Sequence, residues 1–146
     1  MLVDANILLY SVDEDSPFHE GARDWLVEAL NGPRRVAVPW ISLTAFIRIA
    51  TNPRATRHPL TPAEAWDHVQ DWLDAPSSWV PEAGRGHRAI LGRLLIDHDL
   101  RAGLVTDAVL AALCIEHGLD IVSADSDFAR FNEIGWINPV APRSTG

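Results

Sequence analysis

The chain of 146 residues predicts an α/β fold, a central, mostly parallel sheet flanked by helices. Three observations carry that expectation. Short strand-like segments alternate with helical ones along the chain. The strand-like segments, such as Leu2-Val3 and Val36-Ala37-Val38, are apolar throughout, as strands covered on both faces are. Length and a hydrophobic content of 47% suit one core, and so a single domain over residues 1–146 with a flexible tail over 140–146.

The elements follow in order. Leu2, Val3, Ile7, Leu8 and Leu9 form an apolar run read as a buried strand with its exit. Ser16-Pro17 supplies an N-cap and a proline at the first helical position, and Phe18, Ala22, Trp25, Leu26 and Leu30 follow at helical spacing. Asn31-Gly32-Pro33 stops that helix, and Val36 to Val38 is a strand. Leu43, Phe46, Ile47 and Ala50 mark a helix ending at Asn52-Pro53. Thr61 to Glu64 forms a capping box for a helix with Ala65, Trp66, Val69 and Leu73 on one face. Trp79-Val80 is a candidate strand, and Ile90, Leu91, Leu94 and Leu95 lie on a helix. Thr106 reads as the cap of a helix from Asp107 to His117, with Gly118 at the left-handed position after it. Leu119 to Ser123 is a strand, Phe128 to Phe131 a helical turn and Trp136-Ile137 a last strand.

Composition excludes several chemistries. All twelve basic residues are Arg, so there is neither a Schiff-base amine nor the lysine of a P-loop. Cys114 is the only cysteine, which leaves no intramolecular disulfide and no Cys-rich zinc site. No apolar run approaches the ~18–20 residues of a membrane span, and the start lacks the pattern of a secretory leader; the expected location is the cytoplasm. A net charge of −8 argues against a general nucleic-acid binder held by an electropositive surface. The charge is uneven, however. No acid falls between Glu28 and Glu64, where Arg34, Arg35, Arg48, Arg54 and Arg57 stand. That block reads either as a solvated face or as a surface for phosphates.

In parallel α/β sheets, ligands bind beyond the carboxyl ends of the strands. Asp4 stands at the end of the first strand, Asp125 and Asp127 follow the strand Leu119–Ser123, and Asp107 opens the helix leading into it. Several carboxylates at one sheet edge repel one another and raise one another's pKa. A divalent cation relieves this, and Mg²⁺ suits an all-oxygen site. Each acid also has a structural reading. Asp107 favours a helix dipole, and Asp125 and Asp127 cap the turn before Phe128, whereas Asp4 has no evident local structural role.

Val3-Asp4-Ala5-Asn6, Thr106-Asp107-Ala108 with Ala111-Ala112, and Ser123-Ala124-Asp125-Ser126-Asp127-Phe128 resemble, in order and spacing, three motifs of the PIN domain. The size and the strand–helix start are similar to the VapC toxins of type II toxin–antitoxin pairs. The resemblance implies a PIN-like three-layer sandwich and an endoribonuclease dependent on Mg²⁺, with Mn²⁺ able to substitute. It also implies an RNA substrate, a VapB-like antitoxin that inhibits the enzyme, and a homodimer. By that match Asp4, Asp107 and Asp125 take the places of metal-binding acids, and Asp127 a neighbouring acidic place. Asn6 and Ser123 match polar positions that orient the acids. One departure stands out. The family usually carries a Glu shortly before an Arg in the helix after the second strand; here Arg48 is preceded by Ala45 and Phe46. That leaves one ion or two open, with Asp127 available to compensate.

A metal-activated water would attack the phosphodiester, so no protein nucleophile is needed. Cys114, in an apolar helix, reads as core. The Arg block, with Trp40 beside it, supplies the candidates for RNA contact, although Arg48 could instead pair with a site carboxylate. Gly84 to Ala89 matches G-x-G-x-x-A, but reads better as a helix lead-in than as a dinucleotide site. Two other functions stand beside the nuclease: a catalytically weakened PIN-like binding module, and an Asp-cluster phosphate-handling enzyme, which the absence of Lys disfavours. The expected antitoxin segment bears an Arg that competes with metal for Asp4, Asp107 and Asp125. The rest of it lies on the exposed part of Leu43–Ile49 or Trp66–Leu73.

Overall fold

The computed structural model describes residues 1–142. Five two-residue strands, β1 (Leu2–Val3), β2 (Val36–Ala37), β3 (Ser78–Trp79), β4 (Ile121–Val122) and β5 (Trp136–Ile137), form one sheet in the order β3-β2-β1-β4-β5. Every pairing is parallel. Register explains the two apolar layers. Leu2 lies opposite Ala37 and Ile121, and Val3 opposite Val122. Because strand side chains alternate, Val3, Val36 and Val122 enter one cluster with Ile7, Leu26, Phe46 and Trp72. Leu2, Ala37 and Ile121 enter the other with Leu94, Leu110 and Phe128. The continuously apolar strands are therefore buried on both faces.

Six α-helices cover the sheet among the described residues: α1 (Ala5–Val12), α2 (His19–Leu30), α3 (Trp40–Ala50), α4 (Pro62–Asp74), α5 (His87–Asp97) and α6 (Leu104–His117). None is long and apolar enough to cross a membrane. The capping box is present in full, with Thr61 Oγ1 and Glu64 Oε1 each accepting from the other's backbone N–H. Gly118 adopts φ 66° after α6, as expected.

The structure corrects the sequence reading at four main points. The first apolar run is two residues of strand and then α1, because Ile7 and Leu8 continue the core from a helix; a short apolar run does not distinguish the two states. α2 starts at His19 rather than Pro17, since Ser16 Oγ is used in a tight turn, accepting from Phe18 N–H at 3.1 Å. The core stripe of α4 is Ala65, Val69 and Trp72; Trp66 falls on its flank and is exposed. α6 begins at Leu104, so Thr106 lies inside its first turn and caps nothing. Of the expected tail, Val140 packs against the first cluster, and residues 143–146 lie outside the described residues.

Candidate active site

Strand order reverses at β1. The chain builds outward through β2 and β3, then returns to the other side of β1 with β4. The crevice of such a sheet opens there, beyond the carboxyl ends of β1 and β4. Asp4 follows β1 directly, and Ser123 to Asp127 follow β4.

Asp4 does have a local structural role, and the sequence reading is corrected on that point, because it is the N-cap of α1. Its Oδ1 accepts from Ala5 N–H at 2.7 Å. Its Oδ2 accepts from Ser123 Oγ at 2.7 Å and from Asn6 Nδ2 at 3.2 Å. Asn6 also donates to Ser123 Oγ (3.1 Å) and accepts from Ala124 N–H (3.2 Å), so it ties the two strand ends together. Ser123, fully buried, accepts from Asp125 N–H at 3.0 Å. Asp125 Oδ1 in turn accepts from Asp127 N–H at 2.8 Å and caps a short 3-10 helix, Ser126–Arg130. Asn6 and Ser123 thus both bond the Asp4 carboxylate, and Ser123 also accepts from the Asp125 backbone.

Asp107, in the first turn of α6, meets Asp125 and Asp127 from the other side: one carboxylate oxygen of each lies within 4.8 Å of the others. Asp4 is outside that trio, but its carboxyl is raised above the usual range, chiefly by burial and slightly by Asp125, against the lowering bond from Ser123. Asp107 is pushed up to about 6 by burial and then by the charges of Asp125, Asp4 and Asp127, with Arg130 opposing. Three hard oxygen donors in mutual repulsion fit a divalent cation of the Mg²⁺ class. The helix position that lacks the family's Glu adds no donor, since Phe46 is wholly buried against Trp72.

The RNA-contact candidates separate. Arg34 and Arg35 precede β2, on the amino edge of a parallel sheet and opposite the acids; Arg35 lies 4.7 Å over the Trp79 ring. Arg48, Arg54 and Arg57 are exposed. Arg48 forms no ion pair among the described residues, so its expected alternative, pairing with a site carboxylate, is not realised. Trp40 is on the carboxyl edge, 45% exposed, with its ring nearly parallel to that of Trp66. Of the surfaces expected to carry a partner, Leu43, Phe46, Val69 and Trp72 are core. The glycine turn is a lead-in to α5 as read: Gly84 N–H donates to Glu116 Oε1 at 3.0 Å, so this chain's own carboxylate occupies it. Cys114 is buried, and its thiol is pushed up to about 12 by desolvation.

Two neighbours escaped the sequence. Arg130 donates from Nε to the Asp127 carbonyl at 3.0 Å and reaches Asp127 Oδ1 at 3.4 Å. Its signal was the three-residue spacing from Asp127 on a helical turn. Trp136 Nε1 donates to the Ser123 carbonyl at 2.9 Å, a contact between strands with no local signature.

A sequence model of the PIN domain matches residues 1–134. Ribonuclease VapC37 of Mycobacterium tuberculosis is 44% identical over 140 residues, covering 96% of this chain and 97% of that protein. Among solved structures, Mycobacterium tuberculosis VapC20, described as a toxin cleaving the sarcin–ricin loop, superposes with a TM-score of 0.69 at 17% identity, covering 97% of this chain and 98% of that one. VapBC2 of Rickettsia felis, bound to promoter DNA, gives 0.68 at 15% identity, over 94% and 96%. The match across nearly the whole chain and the acids at the β1/β4 crevice agree: the chain belongs to the PIN-domain family, among its VapC ribonucleases.

Proposed function

We propose that this chain is the Mg²⁺-dependent, cytoplasmic toxin of a toxin–antitoxin pair, a single PIN domain that hydrolyses RNA phosphodiester bonds at Asp4, Asp107, Asp125 and Asp127. The observation that carries the reading is the approach of three carboxylates within 4.8 Å at the sheet's switch point. Asp107 and Asp125 would hold the ion with Asp4, and Asp127 makes up for the missing Glu. A divalent ion so held supplies a Lewis acid that lowers the pKa of water and offsets charge on the attacked phosphate. Asn6 and Ser123 fix the acids so that little reorganisation is left to substrate binding. Trp40, Arg48, Arg54 and Arg57 are the RNA contacts; Arg34 and Arg35 meet only an RNA long enough to cross to the other edge.

The partner reading is a VapB-like antitoxin whose Arg enters the acidic crevice, since a guanidinium binds carboxylates bidentately. A second copy of the chain completes a homodimer. The deciding experiment is cleavage of RNA by purified protein with EDTA, Mg²⁺ or Mn²⁺. Cleavage only with a divalent ion, lost in Asp107→Asn, supports the reading. RNA bound but never cut favours the weakened binding module. Inhibition by antitoxin that is indifferent to rising Mg²⁺ refutes competition at the acids.

A further inference from the structure

We propose that Arg130 is a further catalytic residue, whose guanidinium leaves Asp127 to hold the phosphate being cut. The inference rests on the acids being a nuclease centre, and names the group that supplies their missing positive charge. Asp4, Asp107, Asp125 and Asp127 bring up to four negative charges, and a divalent ion neutralises two. The phosphodiester brings another and gains more in the transition state. There is no Lys in the chain, and Arg34 and Arg35 stand on the opposite sheet edge. Among the described residues, Arg130 is the cation in contact with the cluster.

Its bonding leaves it available. A guanidinium committed to a carboxylate makes two short parallel bonds, as Arg93 does with Glu133 at 2.6 and 2.9 Å. Arg130 makes one long contact of 3.4 Å to Asp127 Oδ1 and is otherwise steadied by the Asp127 carbonyl. Among the described residues its second terminal nitrogen has no partner, so the fork keeps donors for phosphate oxygens. The 3-10 helix that carries it is capped by Asp125, so the guanidinium and an acid of the cluster are placed by one rigid turn. Its charge also acts on Asp107.

The test compares wild type, Arg130→Ala, Arg130→Lys and Asp107→Asn. Cleavage of total RNA with Mg²⁺ is followed at limiting and saturating RNA, and each protein is melted with and without the ion. Arg130→Ala should lose about 10²–10³-fold in kcat with little change in KM, as when one transition-state donor is removed; Arg130→Lys should regain part of it. The rise in Tm on adding Mg²⁺ should persist or grow in Arg130→Ala, because a cation beside the acids opposes the ion. Wild-type rates in Arg130→Ala would overturn the proposal. So would a Mg²⁺ shift that shrinks along with activity, which would make Arg130 a prop for Asp127. No cleavage by the wild type would sink the nuclease reading and this inference with it. Cleavage by the wild type but not by Asp107→Asn leaves that reading standing and Arg130 to be judged alone.

Discussion

Helix α6 carries a sheltered carboxylate at each end, and the two are treated in opposite ways. Glu116, near the C-terminus, has a side chain only 8% exposed and is fully partnered, with His87 Nδ1 at 2.8 Å and Gly84 N–H at 3.0 Å. Asp107, at the N-terminus, has no hydrogen-bond partner among the described residues and faces Asp125 and Asp127. One acid stitches the α5 lead-in to α6. The other sits where every neighbouring acid makes its ionisation harder. A carboxylate whose environment opposes its own charge gains no stability from ionising there.

Asp107→Asn tests this contrast with the largest effect. Cleavage should fall by more than the ~10–100-fold that loss of an outer partner of a metal site costs. The Mg²⁺-induced rise in Tm should vanish with it. Yet the ion-free variant should melt above wild type at pH 7. The folded protein holds the Asp107 proton up to about pH 6, above the ordinary 3.8, so ionisation costs stability as pH rises through that window. The gain from Asn should therefore be complete above pH 6, shrink between 6 and 3.8, and be absent below. A variant less stable than wild type at pH 7 would place Asp107 in the same class as Glu116.

Ser123→Ala comes next. Ser123 donates to Asp4 and accepts from Asp125 and Asn6, so its loss loosens two acids at once. We expect a ~10–100-fold loss of activity. Its bond lowers the Asp4 pKa against burial, so without it Asp4 stays protonated to higher pH. The acidic limb of the rate profile should move upward, and an unmoved limb would show that Asp4 ionisation does not limit cleavage.

Glu116→Ala probes the other end. It strips partners from His87 and from the Gly84 amide. Losing hydrogen bonds to a sheltered charged group costs about 2 kcal/mol, or roughly 4–8 °C in Tm for a chain of this size. Cleavage per folded molecule should be unchanged. A loss of rate without a loss of Tm would mean that the two ends of α6 are coupled.

The same contrast marks what the sequence made legible. Asp4, Asp107, Asp125 and Asp127 could be singled out as candidates because an acid directly after an apolar strand, or opening a helix beside one, is locally anomalous, and the approach of the last three follows from the β4–α6 packing. The Thr61–Glu64 box was readable because both partners lie within four residues. α1 was not, since Ile7-Leu8-Leu9 fits a strand as well as a buried helix face. Thr106 misled because a residue favoured at caps also tolerates the first turn of a helix begun at Leu104. The sequence grouped Arg34 and Arg35 with Arg48 by charge alone; their place before β2 puts them on the far edge. Trp136 was invisible because its partner, Ser123, is thirteen residues away, just after another strand.

Trp136 gives the smallest effect and the sharpest control. Its Nε1–H donates to the Ser123 carbonyl at 2.9 Å, from a residue 36% exposed. Trp136→Phe keeps the aromatic packing on edge strand β5 and removes only that bond. A neutral hydrogen bond contributes about 1 kcal/mol, so Tm should fall by roughly 2–4 °C. The side chain of Ser123 keeps its bonds to Asp4, Asn6 and Asp125, so the acids keep their places. Cleavage should accordingly stay close to wild type, with an unshifted acidic limb, where Ser123→Ala moves both. If Trp136→Phe instead costs as much activity as Ser123→Ala, the acids depend on the backbone position of Ser123 more than on its hydroxyl. The rigidity of the site would then come from the β4–β5 pairing.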